Sequence, residues 1–459
     1  MKEFSKIVLK YLKVFIIALI SLFILMLLTS LIPSNIMRKN VQESADYMMT
    51  LGEYNYVNIK MLKAVNKFIY TDTLMLNTAY SIDYKDPIKS FLLARKNYIP
   101  GVTKIIHINT PKDVPTAKKY LNGDYPENIK YQIMELHDMS YSDDVYESFE
   151  YARYWHGYLI FLRPLLVLFN YHQLGILFSI TTIALALVLL YLLYKRFNIF
   201  VSLSFLVGML ATDIFIVASC INLIVCFQIA FIFSIYLLLK KDLELEKMPL
   251  LFFVIGIITN FLDFLTNPIV TLGIPAIICF LIMREKNVKL KNTYAIIFNS
   301  IITWTVGYGI TWMSKWIITD LLYNRGIIIN AIKQVLIRTG LDPENAMPIE
   351  RLYGRTERYL GIYCNSIIAL INCIYFGIYV LKFYKKEDKL LKNVKKTGPL
   401  IAIILLPIVW GVALINHSTV HAFFTYRNNI IFIIGIQLVV LMTCNMCNKN
   451  IKNTGDENG

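Results

Sequence analysis

The chain has 459 residues, 56% of them hydrophobic and only 17% charged, with a formal net charge of +15. This composition excludes an ordinary soluble fold, in which about a quarter of residues are charged. Its repeated apolar runs suit helices of about 20 residues crossing a ~30 Å hydrocarbon core. The positive excess does not indicate a nucleic-acid partner, because residues 34–158 hold 15 Lys/Arg against 15 Asp/Glu. The surplus lies in short loops between apolar runs, the distribution that marks cytoplasmic loops.

Lys2, Lys6, Lys10 and Lys13 precede the apolar run Val14–Ile32. That run is longer than the ~7–15 residues of a signal-peptide core, and no small-residue cleavage site follows it. Residues 1–33 therefore read as a cytoplasmic N-terminus and first span, and 34–158 as an exterior loop domain. Inside that loop Val57, Met61, Val65 and Phe68/Ile69 recur at helical spacing. Pro87 starts a second helix running to Arg95, which Pro100-Gly101 stops. Val102–Ile108 suits a short strand, and Asn122-Gly123-Asp124 a turn. The acidic run Asp143–Glu150 then leads into Glu150–Tyr158, where Arg153, Tyr154, Trp155 and His156 crowd together. Trp and Tyr at such a boundary are ordinary interfacial anchors. An arginine and a histidine among them are more than an anchor requires.

Gly157–Phe169, broken by Arg163-Pro164, is too short to span and reads as an interfacial or re-entrant helix. Further spans are expected at Leu174–Tyr194, Ile199–Phe215, Val217–Leu239, Pro249–Leu262, Thr266–Met283 and Tyr294–Trp312. A second exterior loop covers 313–360. The last spans are Gly361–Leu381, Leu400–Leu414 and Asn429–Thr443, before a cytoplasmic tail at 447–459. Residues 159–312 thus carry the interfacial helix and spans two to seven, and 361–446 spans eight to ten. The expected fold is an all-α polytopic membrane protein of about ten transmembrane helices, with a large, mainly helical first exterior loop. Every short Lys-rich loop then falls on one side.

The seven cysteines all lie in or near apolar spans, none in the large loop, so a disulfide framework is not expected. Cys444-Asn-Met-Cys447 is a lone C-x-x-C and a weak sign of metal or redox work. With this topology all six histidines fall outside or at the outer interface, and Asp213, Asp263, Lys315 and Arg427 lie at outer ends of spans. Each alone is accounted for as a solvated loop residue. Together they suggest an active surface, because ionisable groups beside a bilayer are costly to keep there. Arginine holds a phosphate through paired hydrogen bonds and lysine holds it as a point charge. A nearby carboxylate takes a proton from an acceptor hydroxyl. His417 and His421, four residues apart, share a helix face. They lack a nearby third ligand and the glutamate of a zinc motif, which favours phosphate or hydroxyl contacts over metal. The turn Asn260–Pro268, holding Asp263, reads either as a capped helix–turn–helix or as a floor for sugar hydroxyls.

In this arrangement the chain resembles the integral-membrane glycosyltransferases of the C-type fold. They share an inside N-terminus, one span, a large helical first exterior loop and many further spans. The resemblance implies transfer of a sugar from a polyprenyl-phosphate donor to a glycan, lipid or protein acceptor on the exterior face of a bacterial plasma membrane. It also implies a catalytic carboxylate in the first loop, for which Asp72 and Asp46 are the candidates. The adjacent acidic pair common near the first span in that family is replaced here by the separated Glu43 and Asp46. Substrate binding is then expected from Arg153, Tyr154, Trp155, His156, Asp263, Lys315, His417, His421, Tyr426 and Arg427. No cofactor is called for, and metal dependence stays open. A polysaccharide polymerase or ligase is the neighbouring reading, and a transporter or lipid-linked glycan flippase the reading from a different class.

Overall fold

A computed structural model of the protein describes residues 2–51, 54–57, 65–98, 131–142, 147–342, 374, 377 and 396–443. Six helices among these are long and apolar enough to cross a membrane: Ser5–Ser30, Tyr171–Arg196, Ile221–Leu239, Leu245–Leu262, Pro268–Glu285 and Ala422–Met442. The protein is therefore a helical, multi-pass, membrane-embedded chain. The expected span Gly361–Leu381, the strand Val102–Ile108, the Asn122-Gly123-Asp124 turn and the C-x-x-C pair lie outside the described residues.

The helices share two ends. One end collects Lys195, Arg196, Lys240, Lys241, Arg284 and Lys286, where Arg196 pairs with Glu285 at 2.7 Å and donates to the Leu238 carbonyl at 3.0 Å. The other end carries the segment between the first two spans. Helices Met248–Leu262 and Leu290–Tyr323 pack closely against each other through small residues. A Cβ on Gly256 would collide with the Trp304 carbonyl, and one on Gly307 with the Phe253 carbonyl. Small residues allow this backbone approach where lipid offers no competing hydrophobic drive.

Several boundaries differ from the sequence-based expectation. Helix Leu290–Tyr323 does not stop at Trp312 but continues for 34 residues, about 51 Å at 1.5 Å per residue. No Gly or Pro follows Trp312 to break it, so its final turns project beyond a ~30 Å core and enter the loop-bearing end. A second helix, Ile327–Thr339, folds back from it, so the start of the expected 313–360 loop is ordered helix. The expected span Ile199–Phe215 is broken. Helix Ile199–Ala211 ends at Asp213, which adopts left-handed φ 57°, and a short helix Ile214–Ser219 leads into Ile221–Leu239.

In the first loop, the ends of the expected helical run, Val57 and Val65–Phe68, are strand. Tyr54–Val57 pairs antiparallel with Val65–Phe68, because a short run rich in Tyr and Val also satisfies strand preference. The helix from Pro87 ends at Leu93, where Ala94 turns left-handed at φ 47°. Arg95–Tyr98 then pairs antiparallel with Glu147–Glu150, setting Arg95 opposite Glu150. Those opposed charges meet at 3.6 Å. Helices Arg38–Leu51, Tyr70–Tyr80 and Tyr131–Tyr141 supply the rest of the described loop.

Arg163 ties the loop to the membrane helices. It is buried in the ten-residue helix Leu159–Leu168 and donates from Nε to the Thr29 carbonyl at 3.0 Å. Its two terminal nitrogens donate to the carbonyls of Ala79 and Ile32. One guanidinium thus binds carbonyls at the C-terminal ends of the first span and of helix Tyr70–Tyr80, where a helix runs out of its own amide donors. Each hydrogen bond to a charged group contributes about 1.5–3 kcal/mol. Arg163→Met is therefore expected to lower the unfolding temperature of the detergent-purified protein markedly. Arg163→Lys should recover only part of the loss, since an ammonium lacks the planar fork. A wild-type melting curve for Arg163→Met would contradict this assignment.

Candidate functional site

At the loop-bearing end, several segments distant in sequence enclose a cavity of about 440 Å³. Tyr70, Thr71 and Leu74 come from helix Tyr70–Tyr80, and Lys96 and Phe149 from the paired strands. Tyr151 and Tyr154 come from the aromatic stretch, Phe264 and Thr266 from the 260–268 turn. Arg338, His417, His421, Phe423 and Phe424 close the opposite wall.

The turn is built by Asp263. Its carboxylate accepts the Thr266 hydroxyl at 2.6 Å and the Thr266 amide at 3.0 Å. Closing that ring forces Leu265 to φ 60°, a costly conformation for a branched residue that its neighbours must hold. The Leu265 carbonyl accepts His417 Nε2–H at 3.1 Å, and Phe264 packs 5.4 Å from Tyr151 and 4.9 Å from Tyr154.

The aromatic stretch is a seam between the loop and the membrane helices. Trp155 Nε1 donates to the Thr311 carbonyl at 2.7 Å, and its ring stacks on Phe261 at 5.0 Å. Gly157 N–H donates to the Phe261 carbonyl at 2.9 Å, an approach that a Cβ at Gly157 would block. Trp312 and Trp316 both donate to the Arg153 carbonyl, at 2.8 and 3.0 Å. Trp312 closes the expected span and Trp316 lies one turn into the continuation of helix Leu290–Tyr323.

Of the residues expected to bind substrate, Tyr154, His417 and His421 line the cavity. Arg153 does not. It stacks over Tyr151 at 4.9 Å, bonds Asn330 at 2.9 Å, and lines a neighbouring void that Arg338 and Tyr154 share. His156 is buried behind Tyr151 and Phe264. Its Nε2 donates to the Tyr151 carbonyl and its Nδ1 accepts from the Tyr158 hydroxyl. Burial pushes its imidazole down to about 3, so it is neutral. Trp155 and Asp263 form the wall's backing. Lys315 is fully buried and donates to the Leu92 carbonyl at 2.6 Å, capping helix Pro87–Leu93. Arg427 donates to the carbonyls of Thr212 and Phe423, and Tyr426 donates to Asp213. That pair braces the helix break at Asp213, outside the cavity lining.

Neither catalytic candidate reaches the cavity lining. Asp46 is exposed and accepts the Tyr141 hydroxyl at 2.7 Å. Asp72 sits behind Tyr70 and Thr71, fully buried. Its carboxylate accepts the Tyr171 hydroxyl at 2.7 Å and the amides of Ile221 and Asn222 at 3.1 and 2.9 Å. It therefore caps the N-terminus of another helix, Ile221–Leu239, where a negative charge is favoured.

The cavity's own charge is positive. Among the described lining residues there is no carboxylate. Lys96 is neutralised by buried Glu135, whereas Arg338 Nη1 is buried with no hydrogen-bond partner among the described residues. Burial, the neighbouring His421 and Arg338 hold the His417 imidazole below its ordinary range. Burial and Arg338 hold His421 down to about 4. Both imidazoles are thus neutral near pH 7, and Arg338 is the uncompensated cation among these groups. Among the described residues no group of three or more His, Cys, Asp or Glu is placed to hold a metal ion.

Sequence reasoning missed Arg338, Lys96, Tyr70 and Phe264. Arg338 had one local signal, its position in the last turn of an amphipathic helix that leaves Ile329 and Ile332 exposed and buries Ala331. No protein-family model matches this chain, and no curated protein and no solved structure matches it.

Proposed function

We propose that the protein is a membrane glycosyltransferase that takes a sugar from a polyprenyl-phosphate donor and passes it to a glycan, lipid or protein acceptor. The observation that supports this reading most is the cavity itself: aromatic walls around a guanidinium that bonds Tyr154 but whose buried Nη1 has no hydrogen-bond partner among the described residues. A phosphate suits Arg338, which offers N–H groups in a planar fork. Tyr151, Tyr154, Phe264 and Phe424 offer faces and edges to a sugar ring, and their apolar surfaces suit an isoprenoid beside its phosphate. The volume falls within the ~300–1,000 Å³ of small-molecule sites. The lysine-rich helix ends lie opposite the cavity, a distribution that supports an exterior cavity under the positive-inside rule.

Chemically, a sugar phosphate entering this cavity meets positive charge at its leaving group. Stabilising the charge that develops on the departing phosphate is the largest single lever for such a transfer. The absence of a carboxylate from the described lining favours a reaction in which another group receives the acceptor's proton. That observation gives weight to the polymerase or ligase variant of the same chemistry, in which both substrates are lipid-linked glycans.

The reading is tested by binding. Purified protein in detergent should bind radiolabelled polyprenyl-phosphate sugars saturably, with competition from the sugar-free polyprenyl phosphate. Failure of every donor in a broad panel to bind would remove the support for this function.

A further inference from the structure

We propose that His421 is the group that takes the proton from the acceptor hydroxyl. This rests on the cavity being the site of sugar transfer, and it moves the general base away from the first-loop carboxylates. Three observations carry it. The His421 ring lines the cavity beside Arg338, and its buried Nδ1 has no hydrogen-bond partner among the described residues. The ring plane is fixed by stacking on Phe424 at 5.0 Å and by His417 at 4.7 Å. Among the other candidates, His156 is engaged through both ring nitrogens and Asp72 and Asp263 through helix and turn amides, while His417 is tethered by Nε2–H to the Leu265 carbonyl.

The step balances as follows. The acceptor oxygen forms a bond to the anomeric carbon as its proton passes to an imidazole nitrogen of His421. The bond between that carbon and the phosphate oxygen breaks, and the phosphate leaves with the electron pair beside Arg338. The imidazolium then returns its proton to the released phosphate or to solvent.

The charged and titratable groups facing His421 across the cavity are Arg338, His417, Lys96 with its partner Glu135, and the phenols of Tyr70, Tyr151 and Tyr154. In the free protein the imidazole is held down to about 4 by burial and Arg338, so the proton-accepting form is present at neutral pH. A bound phosphate offsets Arg338 and raises the imidazole's pKa in the complex. Activity is lost as pH falls through that pKa. The acid limb of kcat should therefore lie at higher pH than that of kcat/KM, the first reporting the complex and the second the free protein.

The experiment uses the full chain in detergent with polyprenyl-phosphate sugars as donors. His421→Gln should lower kcat by about 10²–10⁴-fold, the usual contribution of a general base, leave donor affinity unchanged, and abolish the acid limb. His421→Gln that retains most of the wild-type kcat, or loses donor affinity with kcat intact, would overturn the assignment. If that variant fails to fold, the wild-type profile decides alone. A flat kcat from about pH 4, where burial and Arg338 hold the free imidazole, up to about pH 8, the upper end of the usual histidine range, also overturns it. Wild-type protein that transfers no sugar from any donor overturns the reading of the cavity and this assignment together. Wild-type transfer that persists in His421→Gln overturns this assignment alone.

Discussion

Asp72→Ala is expected to damage the fold rather than to yield a folded, inactive protein. The carboxylate is buried and accepts the Tyr171 hydroxyl and the two leading amides of helix Ile221–Leu239. Truncation leaves three donors without that acceptor in a dry interior, at about 1–3 kcal/mol for each buried group left unsatisfied. The favourable charge at a helix N-terminus is lost as well. The sum is a large share of the ~5–15 kcal/mol by which proteins are stable. Asp72→Ala should therefore accumulate poorly and melt well below wild type in detergent. Asp72→Asn, which keeps one oxygen but turns an amide N–H₂ toward donors, should fall between them. A variant that melts like wild type yet loses all sugar transfer would instead restore Asp72 to the catalytic role that the family resemblance implies.

Arg338→Gln is expected to have the opposite signature, an intact fold with impaired donor binding. The side chain is half-buried at the end of helix Ile327–Thr339, it stands 5.6 Å over the Tyr154 ring, and its Nη1 serves no partner among the described residues. A charge-assisted hydrogen bond to phosphate contributes about 1.5–3 kcal/mol, so donor affinity should fall roughly 10- to 150-fold. Arg338→Lys keeps the charge but not the fork, and should lie between the two. Equilibrium binding of a radiolabelled donor checks both variants. Unchanged affinity in Arg338→Gln would mean that Arg338 only supports the Tyr154 wall.

Much of the membrane architecture was legible because apolar runs and Lys-rich ends are local signals. The two stretches singled out for their density of polar and aromatic residues, 150–158 and 260–268, meet in the fold, Gly157 on Phe261 and Phe264 on Tyr154. What those residues do was less legible. Lys315, Arg163 and Arg427 all read as charges beside a membrane, yet each donates to backbone carbonyls contributed by distant helices. Asp72 meets amides about 150 positions further along the chain, and no local pattern announces such a partner. Arg338 was hidden for the converse reason. A cation in the last turn of an amphipathic helix is ordinary, and only the folded chain brings it opposite His417 and His421. The strands at 54–57 and 65–68 were missed because a four-residue spacing in so short a run fits both periods.

The central claim is that this cavity transfers a sugar, and product formation tests it most directly. Purified wild-type protein would be incubated with a panel of polyprenyl-phosphate sugars and candidate glycan, lipid and protein acceptors, with the products separated and identified by mass. The account expects a glycosylated acceptor and free polyprenyl phosphate in equal amounts from at least one donor, with the yield collapsing in Arg338→Gln. Donor that binds and is released or moved across a vesicle membrane unchanged, with no product from any acceptor, would contradict it and identify the cavity as a transport site.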